Sequence, residues 1–230
     1  MTFKLIKAGV AAMALLVTPF AAVAADIRTP VYKGTPRSVI AYYSWTGFYL
    51  GATVGYGTGT SEWDIPPVTI SPRGMMYGGT LGYNWQAGSL VYGIEGDYSV
   101  SNVNGSATCG VVLTCETENT WLATFRGRIG YAFDRFLPYV TAGGAYGNIR
   151  ATLNPLGLTA SESKFGYSFG AGLEYAFLSN WSAKIEYLYV NLGSFDPGFT
   201  APVANNVSFS ESIVRVGLNY KFSGPVFSRW

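Results

Sequence analysis

From residue 45 to residue 222 the chain repeats one pattern, in which apolar or aromatic side chains hold every second position and glycine, small polar or charged residues hold the positions between. Such a period of two is the signature of a β-strand with unlike faces. It runs through 45–57, 74–85, 89–100, 121–133, 163–177 and 181–190. It also marks a last strand that includes Val214 and ends in VGLNYKF, residues 216–222. Segment 137–147 is less regular, and its predicted outward residues are Val140, Ala142 and Tyr146. Counting it gives eight strands, so the expected class is all-β.

Composition says what kind of β-protein this is. Hydrophobic residues make up 49% of the 230, aromatic residues 16% and charged residues 12%, an unusual balance for a domain surrounded by water. After residue 25 there is no uninterrupted apolar run of the length a membrane-spanning helix needs. Residues 1–25 read as a secretory signal peptide: Lys4 and Lys7 form a basic start, Ala8 to Phe20 is apolar, and small residues offer cleavage after Ala24 or Ala25. Removing it takes away two lysines and leaves 13 basic against 13 acidic residues. A neutral chain lacks the basic footprint of a nucleic-acid binder. Cys109 and Cys115 lie in a polar stretch, and in an exported protein they are expected to form a disulfide.

The connections alternate in length. Residues 86–88, 134–136 and 178–180 are short, whereas 58–73, 101–119, 148–162 and 191–208 are long and polar. A closed up-and-down barrel sends alternate connections to opposite rims, and short turns facing long loops match an outer-membrane barrel. The expected fold is therefore an eight-stranded antiparallel transmembrane β-barrel, with periplasmic turns and termini and four long extracellular loops. A periplasmic extension, 26–44, precedes the barrel, 45–222, and a tail, 223–230, follows it.

Charge placement decides which face meets lipid. On the seven regular strands no charge falls on the apolar face, while Glu95, Asp97, Arg126, Arg128, Lys164, Glu174, Lys184, Glu186, Arg215 and Lys221 fall on the other. A basic side chain in mid-bilayer costs about 2–4 kcal/mol, so the charges must point into the lumen. Regular hairpins would place Glu174 opposite Lys184, Glu95 opposite Arg128 and Asp97 opposite Arg126, a ladder of neighbouring opposite charges. The glycines on that face, Gly51, Gly55, Gly82, Gly170 and Gly172, would make room for long side chains in a narrow barrel. Aromatic residues near strand ends, among them Trp85, Trp121, Trp181, Tyr220 and Phe222, suit interfacial girdles.

The stretches WTGFYLGATVGYG, GTLGYNWQ, YGIEGDY, RGRIGYAFDRFLPYVTAGGAYG and VRVGLNYKF resemble the small porin-like outer-membrane β-barrel proteins of alphaproteobacteria, a surface-antigen family. The resemblance spans nearly the whole exported chain. It implies residence in the Gram-negative outer membrane, among its lipids and lipopolysaccharide, and delivery by the barrel-assembly machinery. It further implies that Val216, Leu218, Tyr220 and Phe222 form the C-terminal assembly signal. Such signals usually end the chain, whereas SGPVFSRW follows here, leaving Trp230 as the other terminus for that signal. Envelope integrity and contact with a surface ligand or host factor through the loops are the implied roles.

The residues themselves limit activity. An eight-stranded barrel is about wide enough for its side chains to fill, which favours a structural protein over a general diffusion pore. A narrow or gated porin is the alternative. The chain has no histidine, which removes Ser-His and Asp-His catalysis. Glu62, Asp64, Glu116 and Glu118 read as solvated loop acids rather than a surface enzyme site. No catalytic, cofactor-binding or metal-ligating set is assigned. A lipocalin-like barrel with its apolar face inward is the remaining fold competitor.

Overall fold

The computed structural model describes residues 43–64, 67–109, 113–154, 157–195 and 206–222. The signal segment 1–25, most of the extension, 26–42, and the tail 223–230 with Trp230 lie outside the described residues. Nine strands follow in order: β1 Gly47–Trp63, β2 Val68–Ile70, β3 Arg73–Ala87, β4 Leu90–Thr108, β5 Thr114–Tyr131, β6 Phe136–Asn154, β7 Leu158–Ala176, β8 Trp181–Phe195 and β9 Val207–Lys221. Each long strand pairs antiparallel with the next, and β1 pairs with β9 from Tyr49↔Lys221 to Trp63↔Val207, which closes the ring. The three-residue β2 lies beside the end of β1, on the side where β3 pairs lower down. Between β2 and β3 stand Ser71 and Pro72; Pro72 has no backbone donor, and its carbonyl accepts from Gly59 instead. The barrel is therefore eight-stranded, with β2 as a short continuation of β3, the second wall strand.

Alternation sorts the two faces over the lower part of the barrel. Leu50, Val54, Phe125, Ile129, Val140, Phe169, Ile185 and Val216 point outward and are exposed, whereas Glu95, Arg126, Glu174, Lys184, Glu186 and Arg215 are buried. This polarity excludes the lipocalin-like arrangement. Val140, Ala142 and Tyr146 lie on the outer face of β6.

The segments read as long loops, 58–73, 101–119, 148–162 and 191–208, are in large part continuations of the strands. Strands of 15–19 residues at about 3.3 Å per residue and about 40° of tilt span roughly 40–50 Å, against an apolar outer band of about 25 Å. Their upper parts have the reverse polarity. Outward positions become Thr58, Thr60, Asn104, Thr114, Arg150, Thr152, Ser208 and Ser210, while Trp63, Ile70, Val103, Leu122, Ile149, Leu153, Leu192, Val207 and Phe209 pack inside. Those stretches look loop-like because their polar outer face removes the lipid-facing signature, yet they keep period two and bury their own apolar core. Register shifts at Val100/Val103, Asn119/Trp121 and Asn191/Gly193 fall where the apolar outer rows of β4, β5 and β8 end. Bulges there change the strand geometry at the boundary.

Candidate functional site

The lumen is filled in three layers. At the short-turn end, the segment before β1 folds into the mouth. Trp45 is 2% exposed and packs with Val91, Ala132, Leu137 and Ala176. Its backbone N–H donates to Gln86 Oε1 at 2.7 Å, and its indole N–H donates to the carbonyl of Asp134 at 2.9 Å. Asp134 sits at φ 56°, which a short polar residue tolerates, and its Oδ1 accepts from the Tyr43 backbone at 2.8 Å. The Lys221 ammonium lies 4.1 Å from the Tyr43 ring centroid and donates to the Ser44 carbonyl, tying the segment before β1 to the end of β9 at this rim. Burial pushes the Tyr43 phenol up to about 12, so it remains neutral at physiological pH.

The middle layer holds four acids, Glu95, Asp97, Glu174 and Glu186, and four bases, Arg126, Arg128, Lys184 and Arg215, all buried. Arg126 is central: it reaches Glu95 at 2.7 Å, Asp97 at 2.8 Å and Glu186 at 3.1 Å. Arg215 joins Asp97 at 2.7 Å and Glu186 at 2.6 Å. Lys184 reaches Glu95 at 2.8 Å, and Arg128 reaches Glu174 at 2.7 Å. Arg128 also lies over the Tyr139 ring at 4.0 Å and the Tyr49 ring at 5.7 Å. The two phenols complete the layer, Tyr49 donating to Glu95 and Tyr139 to Glu186, each at 2.7 Å. Thr124 donates to Asp97, and Ser182 and Asn219 donate to Glu174. Equal and opposite charge with shared hydrogen bonds is what permits ions to be buried.

Eight of the ten charges expected in the lumen thus meet, but as a cluster across it rather than as a ladder of neighbours, while Lys164 pairs with Glu162 and Lys221 stays at the short-turn mouth. Glu174 does sit opposite Lys184 in register, yet Lys184 crosses to Glu95. Glu95 faces Arg126, not Arg128, and Asp97 faces Thr124. The bulge at Val100/Val103 and the actual hairpin centre displace the pairing by two residues, which preserves the face and changes the partner. Long side chains aimed at the axis then choose among all strands.

The glycines fit this packing. A Cβ at Gly82 would strike the Tyr49 ring, one at Gly172 the Tyr139 ring, and one at Gly55 the Cβ of Arg215. In the first two cases the tyrosine lies over the glycine directly opposite it in register. The third layer is the apolar chamber above the charges. It encloses the Cys109–Cys115 disulfide, whose Cα atoms are 5.7 Å apart. Between the charged and apolar layers, a void of about 10 Å³ is lined by Thr53, Gly55, Met76, Ser99, Leu122, Ile213 and Arg215. That is room for about one water molecule.

Sequence reasoning missed the roles of Trp45, Tyr139 and Glu211. Glu211 is buried above the cluster and accepts from Asn119 Nδ2 at 2.8 Å. Its signal was available: it shares the parity of Arg215 on β9 but lay near a segment read as loop. Val216, Leu218, Tyr220 and Phe222 are exposed on the outside of the seam. The Phe222 N–H donates to the Phe48 carbonyl at 2.9 Å, and the two rings lie 5.5 Å apart.

Comparison with known proteins places this geometry in context. A family model described as outer membrane protein beta-barrel domain matches residues 11–222. The 31 kDa outer-membrane immunogenic protein of Brucella melitensis is 36% identical over 230 residues, covering 87% of this chain and 93% of that protein. The 22 kDa outer membrane protein of Rhizobium leguminosarum bv. viciae is 35% identical over 181 residues, 78% of this chain and 79% of that one. Among solved structures, the outer membrane protein OprG of Pseudomonas aeruginosa superposes with a TM-score of 0.50 at 14% identity, covering 78% of this chain and 97% of OprG. That likeness concerns the fold alone.

Proposed function

This chain belongs to the outer-membrane protein β-barrel family, and from that premise we propose that it is a closed, non-conducting barrel that strengthens the envelope and carries a contact surface outside the cell. The observation that supports this most is the filled lumen. An apolar mouth around Trp45, a neutral cluster of eight buried ions and an apolar upper chamber lie in series, each obstructing a solute path. Neutralised charges attract neither sign of ion. The buried acids are all engaged by cations or hydrogen-bond donors inside the barrel, so no catalytic role is assigned to them.

Refolded protein in a planar bilayer is expected to show no stepwise conductance. Steps that persist in a Trp45→Ala variant and change selectivity on Arg215→Gln would establish the narrow or gated porin instead.

The names of the Brucella relatives include the word immunogenic. Carried to this chain, that property accords with strand walls standing above the lipid and with a ligand or host factor meeting the hairpin tips. We divide the chain into a removed signal, 1–25, a periplasmic extension, 26–44, the barrel, 45–222, and a tail. The outward row Val216, Leu218, Tyr220 and Phe222 is proposed as the signal read by the barrel-assembly machinery. Its exposure at the closing seam leaves it available until lipid covers it. Phe222→Ser is expected to reduce the amount of heat-modifiable barrel in outer-membrane fractions severalfold. Unimpaired assembly of that variant would shift the signal toward Trp230.

A further inference from the structure

Glu211 stands in the upper chamber, 1% exposed, and its outward neighbours on β1 and β9, Thr58, Thr60, Ser210 and Ser212, are polar, which puts it above the lipid-facing band. Its carboxylate fills a niche over Gly57 of β1, where an added Cβ would strike Glu211 Oε1. From β5, the opposite wall of the ring, Asn119 Nδ2 donates to Glu211 Oε2 at 2.8 Å. Two atoms of this pair are left over: Glu211 Oε1 and Asn119 Oδ1 are buried and have no hydrogen-bond partner among the described residues. Both are acceptors, so neither serves the other while the carboxylate is charged. The other ties across this level are neutral, for Thr117 of β5 accepts from the Trp63 indole and meets the Ser61 hydroxyl, each at 3.2 Å. No inward charge answers Glu211 from the walls packed against it. It pairs in register with Gly59 of β1 and Val190 of β8, and Val103 of β4 borders the niche. Glu62 on β1 and Glu116 and Glu118 on β5 point outward, and the nearest inward charge on β9, Arg215, is held by Asp97 and Glu186.

We propose that Glu211 and Asn119 form a proton-operated latch across the top of the barrel, closed when the carboxyl is protonated and released when it is charged. A proton on Oε1 supplies the missing donor, and the Asn119 amide then donates to the carboxyl and accepts from it as a cyclic acid–amide pair. One proton thereby serves both leftover atoms. Its loss leaves a buried anion and an unmet carbonyl among apolar walls, a state relieved by parting β9 from β5 and admitting water. Burial pushes the Glu211 carboxyl up to about 7, against the pull of the Asn119 donor. Because that folded value lies above the ordinary 4.5, the stabilisation from the latch is fully present below about 4.5 and is lost as pH rises through about 7. Asn119 belongs to the buried inward row Cys115, Thr117 and Asn119 of β5, so the latch steadies the strand that carries the disulfide. The hairpin tips are accordingly held firmly in acid and loosely in alkaline medium.

The test reads the Cys109–Cys115 disulfide, both of whose residues are buried in this chamber. Its reduction by tris(2-carboxyethyl)phosphine requires the chamber to open. The full refolded chain in detergent, first checked for the heat-modifiable gel mobility of a folded barrel, is treated at about pH 5 and about pH 8, and the freed thiols are alkylated and counted by mass spectrometry. Glu211→Gln keeps every other titrating group and sets an amide where the protonated carboxyl stood, so it corrects for the reagent and for the remaining acids. In acid the wild type and Glu211→Gln are expected to be reduced at similar rates, whereas in alkali the wild type should be about tenfold faster. Asn119→Ala should be fast in both, because the proton then has no acceptor across the lumen. A ratio of wild type to Glu211→Gln that stays constant between the two conditions overturns the latch. An Asn119→Ala chain that keeps the wild-type dependence overturns it as well, since the acid would then titrate without its partner. Neither outcome touches the conductance measurement, on which the closed-barrel reading stands or falls separately.

Discussion

Replacing Arg126 with methionine is expected to cost about 3–5 kcal/mol of barrel stability, the largest effect of any single lumenal substitution. Arg126 is fully buried and holds three carboxylates at once, those of Glu95, Asp97 and Glu186. Removing it leaves a net negative charge among four acids and three bases in a dry interior. The penalty therefore comes less from the lost attraction than from the stranded acids. Combining the change with Glu95→Gln should recover part of the loss, because one of those acids is then neutral. Urea titration in detergent, with tryptophan fluorescence as the readout, measures both. A single variant within 0.5 kcal/mol of wild type would mean that the cluster is hydrated and open, which would also weaken the closed-barrel reading.

Val140→Arg is expected to destabilise the protein by about 2–4 kcal/mol in lipid, whereas Thr152→Arg, twelve residues further along the same outer face of β6, should be nearly neutral. Val140 sits in the middle of the apolar outer row and is 55% exposed. Thr152 lies above the bulges, beside the outward Arg150 that the wall already carries. The inside reverses this order: Ile149→Arg, in the apolar chamber, should be as costly as Val140→Arg. Unfolding in phospholipid vesicles gives all three values. Equal costs for Val140→Arg and Thr152→Arg would place the bilayer somewhere other than the lower half of the barrel.

The lower half was legible in the sequence because lipid imposes a one-sided rule. Charge on one face and grease on the other, strand after strand, sufficed to place Glu95, Arg126, Glu186 and Arg215 in the lumen together. Their partners were not legible. Pairing depended on a bulge near Ser101, and side chains as long as Lys184 pass over their register neighbour to reach Glu95. The upper half was misread for a different reason. Segments such as EWDIPPVTISP and TLNPLGLTASES contain proline, glycine and serine, and show polar residues where lipid-facing ones were sought. Their apolar residues, Ile70 and Leu153 among them, alternate toward the inside. Trp45 carried no signal at all, since a single aromatic residue before the first strand reads equally as girdle or as cork.

The wall above the bulges also sets an elevation. With strands this long and tilted, the hairpin ends stand about 15–25 Å beyond the hydrocarbon, farther than the lipid headgroups extend. A packed interior and a Cys109–Cys115 staple near one of those ends keep that height from collapsing. The walls act as a short mast that lifts the upper strand ends clear of the lipid headgroups, the elevation that the proposed contact surface requires.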